Sequence, residues 1–399
     1  MNILYTISRY WPAIGGAETH VRQVAGVLSE RHKVWVIAHT NRQQIDAVAI
    51  CSSGAKQTEH YADGAVRVQL LGATATERLK LLPVRRLYHY PRTKPIGYRL
   101  YASVFAKKLI AFVREHQIDV IHNILVGTEY LSRVSCQVAH EHGIPFVITP
   151  LAHEGIWGDD PSFFEIYRRA DAVIALLKVE RALYLWGGVL DARLYTIGVS
   201  PVIADSYDPV YFCEQNHLSA PIVLFVGRQV ESKGYPALIR AAPLVWRKHP
   251  TASFVFIGPK EKSSRIPDHS PDRRILHLGA VSEFEKTSAI AACDLLCLPS
   301  NSEIMPTVIL EAWSFGKPVI GGTIPALQEL IQEAGGGIVA PQEPEALAKA
   351  ITDLLDGKER ALALGAAGRQ AVLSRYTRDR VAEQLEHVYQ QLCDATRRV

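Results

Sequence analysis

The sequence predicts an α/β protein made of two doubly wound parallel sheets in two domains. Three observations lead there. The chain has 399 residues, long for one typical domain and comfortable for two. Short β-rich apolar runs alternate with helical stretches along its whole length, the pattern of βαβ units. Around 198–220, with Pro201 and Pro209, periodicity lapses, and strand-like runs restart at 222.

The elements follow in order. In the first half, strands are expected at 2–8 (NILYTIS), 33–39 (KVWVIAH), 66–71, 119–124, 145–150, 172–177 and 193–197. Helices are expected between them, for example at 17–30 and 98–115. In the second half, strands are expected at 222–227 (IVLFVG), 253–258 (SFVFIG), 275–279, 295–299 (LLCLP), 318–321 and 337–340. Helices are expected there at 236–248 and 345–355. The segment 377–399 reads as an amphipathic helix, with Val381, Leu385, Val388 and Leu392 on one face. The expected domains are 1–198 and 199–376, followed by a terminal helix, 377–399. Two such domains facing each other leave a cleft at the carboxyl ends of their strands, where ligands of α/β sheets bind.

Composition narrows the function classes. A net charge of +4 does not indicate a general nucleic-acid binder. The six cysteines form no CxxC pair or metal-ligand cluster, and Cys293 and Cys297 lie in an apolar run as core residues. A reduced, cytoplasmic setting fits this usage. No window has the apolar length of a membrane span, and the N-terminus looks like a first strand, not a signal peptide. Charge is unevenly spread. From Arg78 to Arg114 there are ten Lys or Arg and no acidic residue, interleaved with Leu and Tyr. This mixture suits an anionic membrane surface or anionic acceptor, and equally a solvated helix face with a basic loop.

The chemistry concentrates at 303–311, EIMPTVILE. The run around Glu311 is apolar, so its carboxylate is expected to be buried, which is costly without a partner. Pro306 suits the first position of a helix. The segment Met305, Pro306, Thr307, Val308 then presents a helix start, with the amides of Thr307, Val308 and Ile309 free of intrahelical partners. Such amides bind anions, and carboxylates accept sugar hydroxyls. Together they suit a ligand carrying a diphosphate and sugars.

A second signal is GRQVESKG at 227–234, following the strand that begins at 222. Arg228 and Lys233 emerge there between Gly227 and Gly234, and both can hold phosphate. In the first half, Gly15 and Gly16 follow the first strand and precede a helix, with Glu18 in its first turn; a plain βα turn would look the same. His153, in TPLAHEG, follows a strand and can donate to a sugar or leaving group, as can His122; either can equally be a satisfied structural histidine. The chain has no DxD motif, P-loop or GxSxG elbow. Phosphate charge then falls to Arg228, Lys233 and helix amides, without a metal or a cofactor.

These motifs, with FIGP ending at Pro259, HLGAV around Gly279, the block 299–320 and GGGIVAPQEPEALAKAI at 335–351, resemble the retaining GT-B glycosyltransferases of glycosyltransferase family 4. The resemblance spans nearly the whole chain, and Glu303 and Glu311 match the family's E-x7-E signature. It implies a GT-B fold and transfer of a sugar from a nucleotide-diphosphate sugar to a glycan or lipid-linked acceptor hydroxyl. By this resemblance Glu303 holds hydroxyls of the donor sugar and Glu311 the ribose. Arg228 and Lys233 neutralise the leaving diphosphate, Gly16 packs close to it, and His153 contacts the transferred sugar. A front-face route is implied, with the leaving phosphate taking the acceptor's proton, and the terminal helix 377–399 is implied to cross back onto the first domain. Cytoplasmic localisation follows, with peripheral attachment to the inner face of the membrane through 78–114 as a further expectation. Three positions depart from the pattern: Ile197 before Gly198, the LAHEG context of His153, and Trp313 where smaller side chains are usual. A sugar-nucleotide epimerase and a non-catalytic nucleotide-sugar binder are the alternatives.

Overall fold

A computed structural model describes residues 1–43, 57–153, 155–260 and 272–397. In chain order the first elements are β1 (Asn2–Arg9), α1 (Gly16–Leu28), β2 (Lys33–Thr40), β3 (Glu59–Asp63), β4 (Val66–Leu70), α2 (Ala75–Leu81), α3 (Val84–Tyr88) and α4 (Lys94–His116). Then come β5 (Val120–Ile124), α5 (Tyr130–Glu141), β6 (Phe146–Thr149), α6 (Pro161–Arg169), β7 (Ala172–Ala175), α7 (Lys178–Trp186) and β8 (Leu194–Thr196). The second half has α8 (Pro209–Gln215), β9 (Ile222–Val226), α9 (Tyr235–Val245), β10 (Ser253–Ile257), β11 (Ile275–Gly279), α10 (Glu283–Ala292) and β12 (Leu295–Leu298). It continues with α11 (Thr307–Ser314), β13 (Val319–Gly321), α12 (Pro325–Ala334), β14 (Gly337–Val339), α13 (Pro344–Asp356), α14 (Lys358–Ala371) and α15 (Arg378–Arg397).

The chain divides into two compact units. The first is Met1–Ile197 with Arg378–Val399, and the second is Gly198–Thr377. The first unit holds an eight-stranded sheet in the order β3-β4-β2-β1-β5-β6-β7-β8, parallel except where β3 meets β4. Side chains alternate across such a sheet, so a strand covered on both faces reads as a continuous apolar run. In β1, Ile3, Tyr5 and Ile7 pack with α1 and α15 on one face, while Leu4 packs with α4 and α5 on the other. Helix α15 supplies Val381, Leu385, Val388 and Tyr389 to the first of these cores. Each such side chain contributes about 1.5–3 kcal/mol by leaving water, which fastens the terminal helix to the first unit.

Strand β3 is an addition to the sequence reading. Its EHYAD sequence is polar because it lies at the sheet edge with mostly exposed side chains. Gly64, at φ +62°, turns it into β4. Helix α4 begins four residues before the expected 98, since Pro95 fits its first turn.

The second unit holds a six-stranded parallel sheet, β11-β10-β9-β12-β13-β14. Buried Trp313 is accommodated by two glycines. A Cβ at Gly336 would lie 2.4 Å from its ring and one at Gly368 2.2 Å, and the indole N–H donates to the Gly336 carbonyl at 2.8 Å. Among the described residues no helix is long and apolar enough to cross a membrane.

Candidate active site

The strand order of the second sheet locates its ligand-binding edge. From β9 the chain moves outward to β10 and β11, and from β12 it moves outward the other way. The loops after β9 and β12 therefore diverge at a topological switch point, the place where doubly wound sheets hold ligands. These loops are 227–234 and 299–306, the two segments singled out in the sequence.

Backbone chemistry locks the two loops together. Asn301 N–H donates to the Ser232 carbonyl at 2.7 Å, and the buried Ser300 hydroxyl donates to the same carbonyl at 3.2 Å. Gly234 has φ +77°, and a Cβ there would lie 2.4 Å from the Pro299 carbonyl oxygen. Only glycine fits both the dihedral and the approach. Gly258, at φ +127°, packs on the Gly227 carbonyl in the same way, which explains the glycine of FIGP. Gln342, which sequence reasoning missed, bridges both loops: it donates to the Glu231 carbonyl at 3.3 Å on one, and on the other donates to the Pro299 carbonyl at 2.8 Å and accepts from Asn301 at 2.9 Å.

Within this frame Lys233 Nζ stands 2.6 Å from Glu303 Oε1 and 2.8 Å from the Ser302 carbonyl. Both side chains are largely withdrawn from water, at 16% and 12% exposure, and a pair in that setting is screened less than a surface one. Arg228 lies exposed on the same loop, five residues before Lys233. Neighbouring Gln229 is buried and donates to the Gly258 carbonyl at 2.9 Å, anchoring the loop beneath Arg228.

Glu311 is 1% exposed, as its apolar surroundings predicted. Its partner is Lys286 of α10, with Nζ 3.1 Å from Oε2 and 2.8 Å from Glu283. Val202 N–H points at Oε1 from 3.4 Å. Burial pushes the Glu311 carboxyl above the usual carboxylate range, and Lys286 opposes that rise. Burial alone would lower Lys286, but Glu311 and Glu283 together raise it. Oε2 sits at ion-pair distance yet receives no aligned hydrogen bond among the described residues, so it keeps acceptor capacity. Lys286 carries no sequence signal beyond being a lysine on a partly apolar helix.

The helix start at Pro306 differs from the expectation. Pro306 is the N-cap, with helix α11 beginning at Thr307. A tight turn also gives the Ile309 amide a partner, the Pro306 carbonyl, at 3.2 Å. The site of free amides is thus narrower than three. Met305 and Val308 are nearly buried beside it, and a Cβ on Gly198 would touch Met305 and Tyr376.

Gly15, Gly16 and His153 belong to the first unit. Gly15 caps α1, and Gly16 is open, with nothing within 4 Å of an added Cβ. Behind them Arg9 Nε meets the buried Glu18 at 2.6 Å. His153 sits in a tight turn whose N–H and carbonyl bond Trp157 at 2.8 and 2.9 Å. His122 proves to be a core residue, fully buried between the Tyr389 hydroxyl at 2.6 Å and the Thr149 hydroxyl at 2.8 Å. Burial holds its pKa down at about 3, with His20 adding to the effect.

This geometry can be set beside known proteins. Residues 214–371 match the family model described as Glycosyl transferases group 1. That segment contains Arg228, Lys233, Glu303, Glu311 and Lys286. Over 181 residues the chain is 28% identical to a GDP-mannose-dependent monoacylated alpha-(1-6)-phosphatidylinositol monomannoside mannosyltransferase of Corynebacterium glutamicum, covering 43% of this chain and 48% of that one. It is 28% identical over 187 residues to the D-inositol 3-phosphate glycosyltransferase of Corynebacterium urealyticum, covering 44% of each. The chain spans about half the length of the curated relatives it matches.

Fold similarity extends further than the group 1 segment. Sucrose-phosphate synthase of Thermosynechococcus elongatus superposes with a TM-score of 0.71 at 21% identity, covering 99% of this chain and 100% of that one. Anabaena HepE, solved with UDP-glucose, superposes with a TM-score of 0.69 at 16% identity, covering 98% and 99%. The fold is GT-B, with two Rossmann-like units as the strand pattern predicted.

Proposed function

We propose that this chain is a retaining glycosyltransferase of family 4, moving a sugar from a nucleotide-diphosphate donor to an acceptor hydroxyl in glycoconjugate biosynthesis. The observation that carries the proposal is the meeting of Lys233 and Glu303, 2.6 Å apart at the switch point of the second sheet. A cation suited to diphosphate and a carboxylate suited to sugar hydroxyls are needed side by side for such a donor. Group 1 similarity over 214–371 and the donors named for relatives, GDP-mannose and UDP-glucose, support the same reading.

In this proposal the diphosphate replaces Glu303 as the partner of Lys233, and Arg228 adds a second cation. Both stabilise charge as the sugar–phosphate bond breaks. Glu303 turns to the donor sugar, and Glu311, held by Lys286, accepts from the ribose. The amides of Thr307 and Val308 complete the phosphate contacts, with Gly227 leaving room beside them. Gly15 and Gly16 offer backbone to the diphosphate, and His153 donates to the transferred sugar. No divalent ion is required, so chelation by EDTA leaves turnover unchanged.

The protein acts in the cytoplasm, attached to the inner face of the membrane. Exposed Leu79, Leu82, Tyr90 and Ile96 among Lys80, Arg85, Arg86 and Arg92 support an anionic-surface contact. Charge reversal in 78–114 should weaken binding to phosphatidylglycerol vesicles, and unchanged binding refutes the attachment.

A thermal-shift screen against nucleoside diphosphates and their sugars tests the donor reading. A ligand at a hundred times its Kd stabilises the folded state by about 2.7 kcal/mol. Stabilisation by a nucleotide sugar, and turnover with retained anomeric configuration, is expected. No stabilisation by any member of the set refutes the proposal.

A further inference from the structure

The first unit contains a cavity of about 1070 Å³ that the donor reading leaves unused. It is assembled from α3, the start of α4, the Glu129 turn after β5, and the loop 156–163 after β6. It thus lies at the carboxyl end of parallel strands, the functional edge of such a sheet. Its volume is at the upper end of ordinary small-ligand sites, about 300–1,000 Å³.

The lining has two chemistries. Tyr88, Tyr98 and Trp157 are half-buried rings that form part of the wall. Such rings offer flat apolar faces beside polar tips. Glu129 is 1% exposed, and its carboxylate takes Lys94 Nζ at 2.8 Å and the Tyr88 hydroxyl at 2.8 Å.

Charge decides what the cavity suits. It is lined by four carboxylates, Glu129, Asp159, Asp160 and Glu165, against two cations, Lys94 and Arg133. Both cations are already engaged. Lys94 also donates to the Ser162 hydroxyl at 3.1 Å, and Arg133 holds Glu165 and the Ser162 carbonyl at 2.8 Å each. A phosphate head group would meet net negative charge and committed cations. A neutral polyol would meet hydroxyl acceptors and aromatic faces.

The cavity is also tied to a catalytic candidate. His153 and Trp157 exchange backbone hydrogen bonds at 2.8 and 2.9 Å across one tight turn. Movement of a ligand against Trp157 therefore bears on the placement of His153.

We propose that this cavity binds a neutral saccharide, and that this saccharide is the acceptor of transfer. The acceptor half of the proposal rests on the glycosyltransferase reading above; the binding half does not. The cavity does not take the phosphate of a lipid head group.

Saturation-transfer NMR on the full chain tests this with methyl α-D-mannopyranoside, methyl α-D-glucopyranoside and maltotriose as probes. At least one should show transfer that persists when salt is raised, as expected for an uncharged ligand. Trp157→Ala should weaken that binding about tenfold, with UDP and GDP binding unchanged. Asp159→Asn, at the half-exposed rim, should weaken it too if Trp157→Ala does not fold. Transfer to none of the probes, or transfer indifferent to both variants, overturns the proposal. So does salt-sensitive binding of phosphatidylinositol vesicles that these variants abolish. Nucleotide binding without saccharide binding leaves the donor reading standing and removes this one. Saccharide binding without any nucleotide binding refutes the acceptor role and the donor reading together.

Discussion

Lys286→Met would isolate the charge of Glu311 with little change in side-chain volume. Nζ and Oε2 are 3.1 Å apart, and unit charges at that distance attract by about 5 kcal/mol at an effective dielectric near 20. Desolvation offsets part of this in the intact pair. Removing one partner leaves the other buried and uncompensated, which typically costs about 3–5 kcal/mol. Glu311 is 1% exposed and, among the described residues, Lys286 is the cation that acts on it, so the upper part of that range is expected.

The loss should depend on pH with a definite sign. Burial already raises the Glu311 carboxyl, and loss of Lys286 raises it further. A carboxyl raised in the folded state binds more protons there than in the unfolded chain. Stability of the variant relative to the parent then rises as pH falls through the folded value. Urea unfolding of both proteins at about pH 8 and about pH 5 reads this, because contributions common to both cancel. Adding Glu311→Gln to Lys286→Met should recover much of the deficit, since an amide is cheaper to bury than a lone carboxylate. A Lys286→Met protein as stable as the parent at the higher pH, or a deficit that widens in acid, refutes the pairing argument.

Other outcomes follow from particular contacts. Gly234→Ala puts a Cβ 2.4 Å from the Pro299 carbonyl at φ +77°, so nucleotide binding should fall along with a loss of about 1–3 kcal/mol in stability; unchanged binding in calorimetry contradicts the locked-loop geometry. His20 and His39 are buried with pKa values held down at about 4 by burial, and His122 at about 3. Their contribution is fully present above about pH 6.5 and is lost as pH falls toward those values, by roughly 3 kcal/mol for a shift of that size. Acid unfolding monitored by circular dichroism should therefore advance to lower pH in His39→Gln, and an unchanged profile tells against it. Tyr389→Phe removes the partner of the His122 Nδ1 and of the Tyr5 hydroxyl, at 2.6 and 2.8 Å, and should cost about 1–3 kcal/mol; a midpoint unchanged in urea would show that α15 is held by apolar packing alone.

How far the sequence could be read follows a physical divide. Strands such as β1 and β9 were legible because both faces are buried, which makes them continuous apolar runs. Edge strand β3 was not, because its side chains face water and EHYAD carries no apolar period. Glu311 was legible as a buried carboxylate from its immediate neighbours. Its cation was not, since Lys286 is 25 positions away and only the fold of α10 beside α11 brings them together. Gln342 was hidden for the same reason. Its bonds to Glu231, Pro299 and Asn301 join loops that are distant in sequence, and a glutamine in a loop has no local pattern to betray it. In the sequence His122 lies near the end of a strand and His153 just after one, and burial separates the satisfied core histidine from the one in a turn. The cavity of the first unit draws on three separate segments, so no single window of sequence could show it.

The central claim is that Lys233 and Glu303 divide a nucleotide-sugar donor between them. Calorimetric titration of the parent, Lys233→Ala and Glu303→Ala proteins with a nucleoside diphosphate and the corresponding nucleotide sugar measures that division. Lys233→Ala should lose affinity for both ligands through the diphosphate. Glu303→Ala should bind the diphosphate as the parent does and lose only the increment due to the sugar. Glu303→Ala binding the nucleotide sugar with parental affinity and full turnover, or Lys233→Ala binding the diphosphate unchanged, would contradict the account.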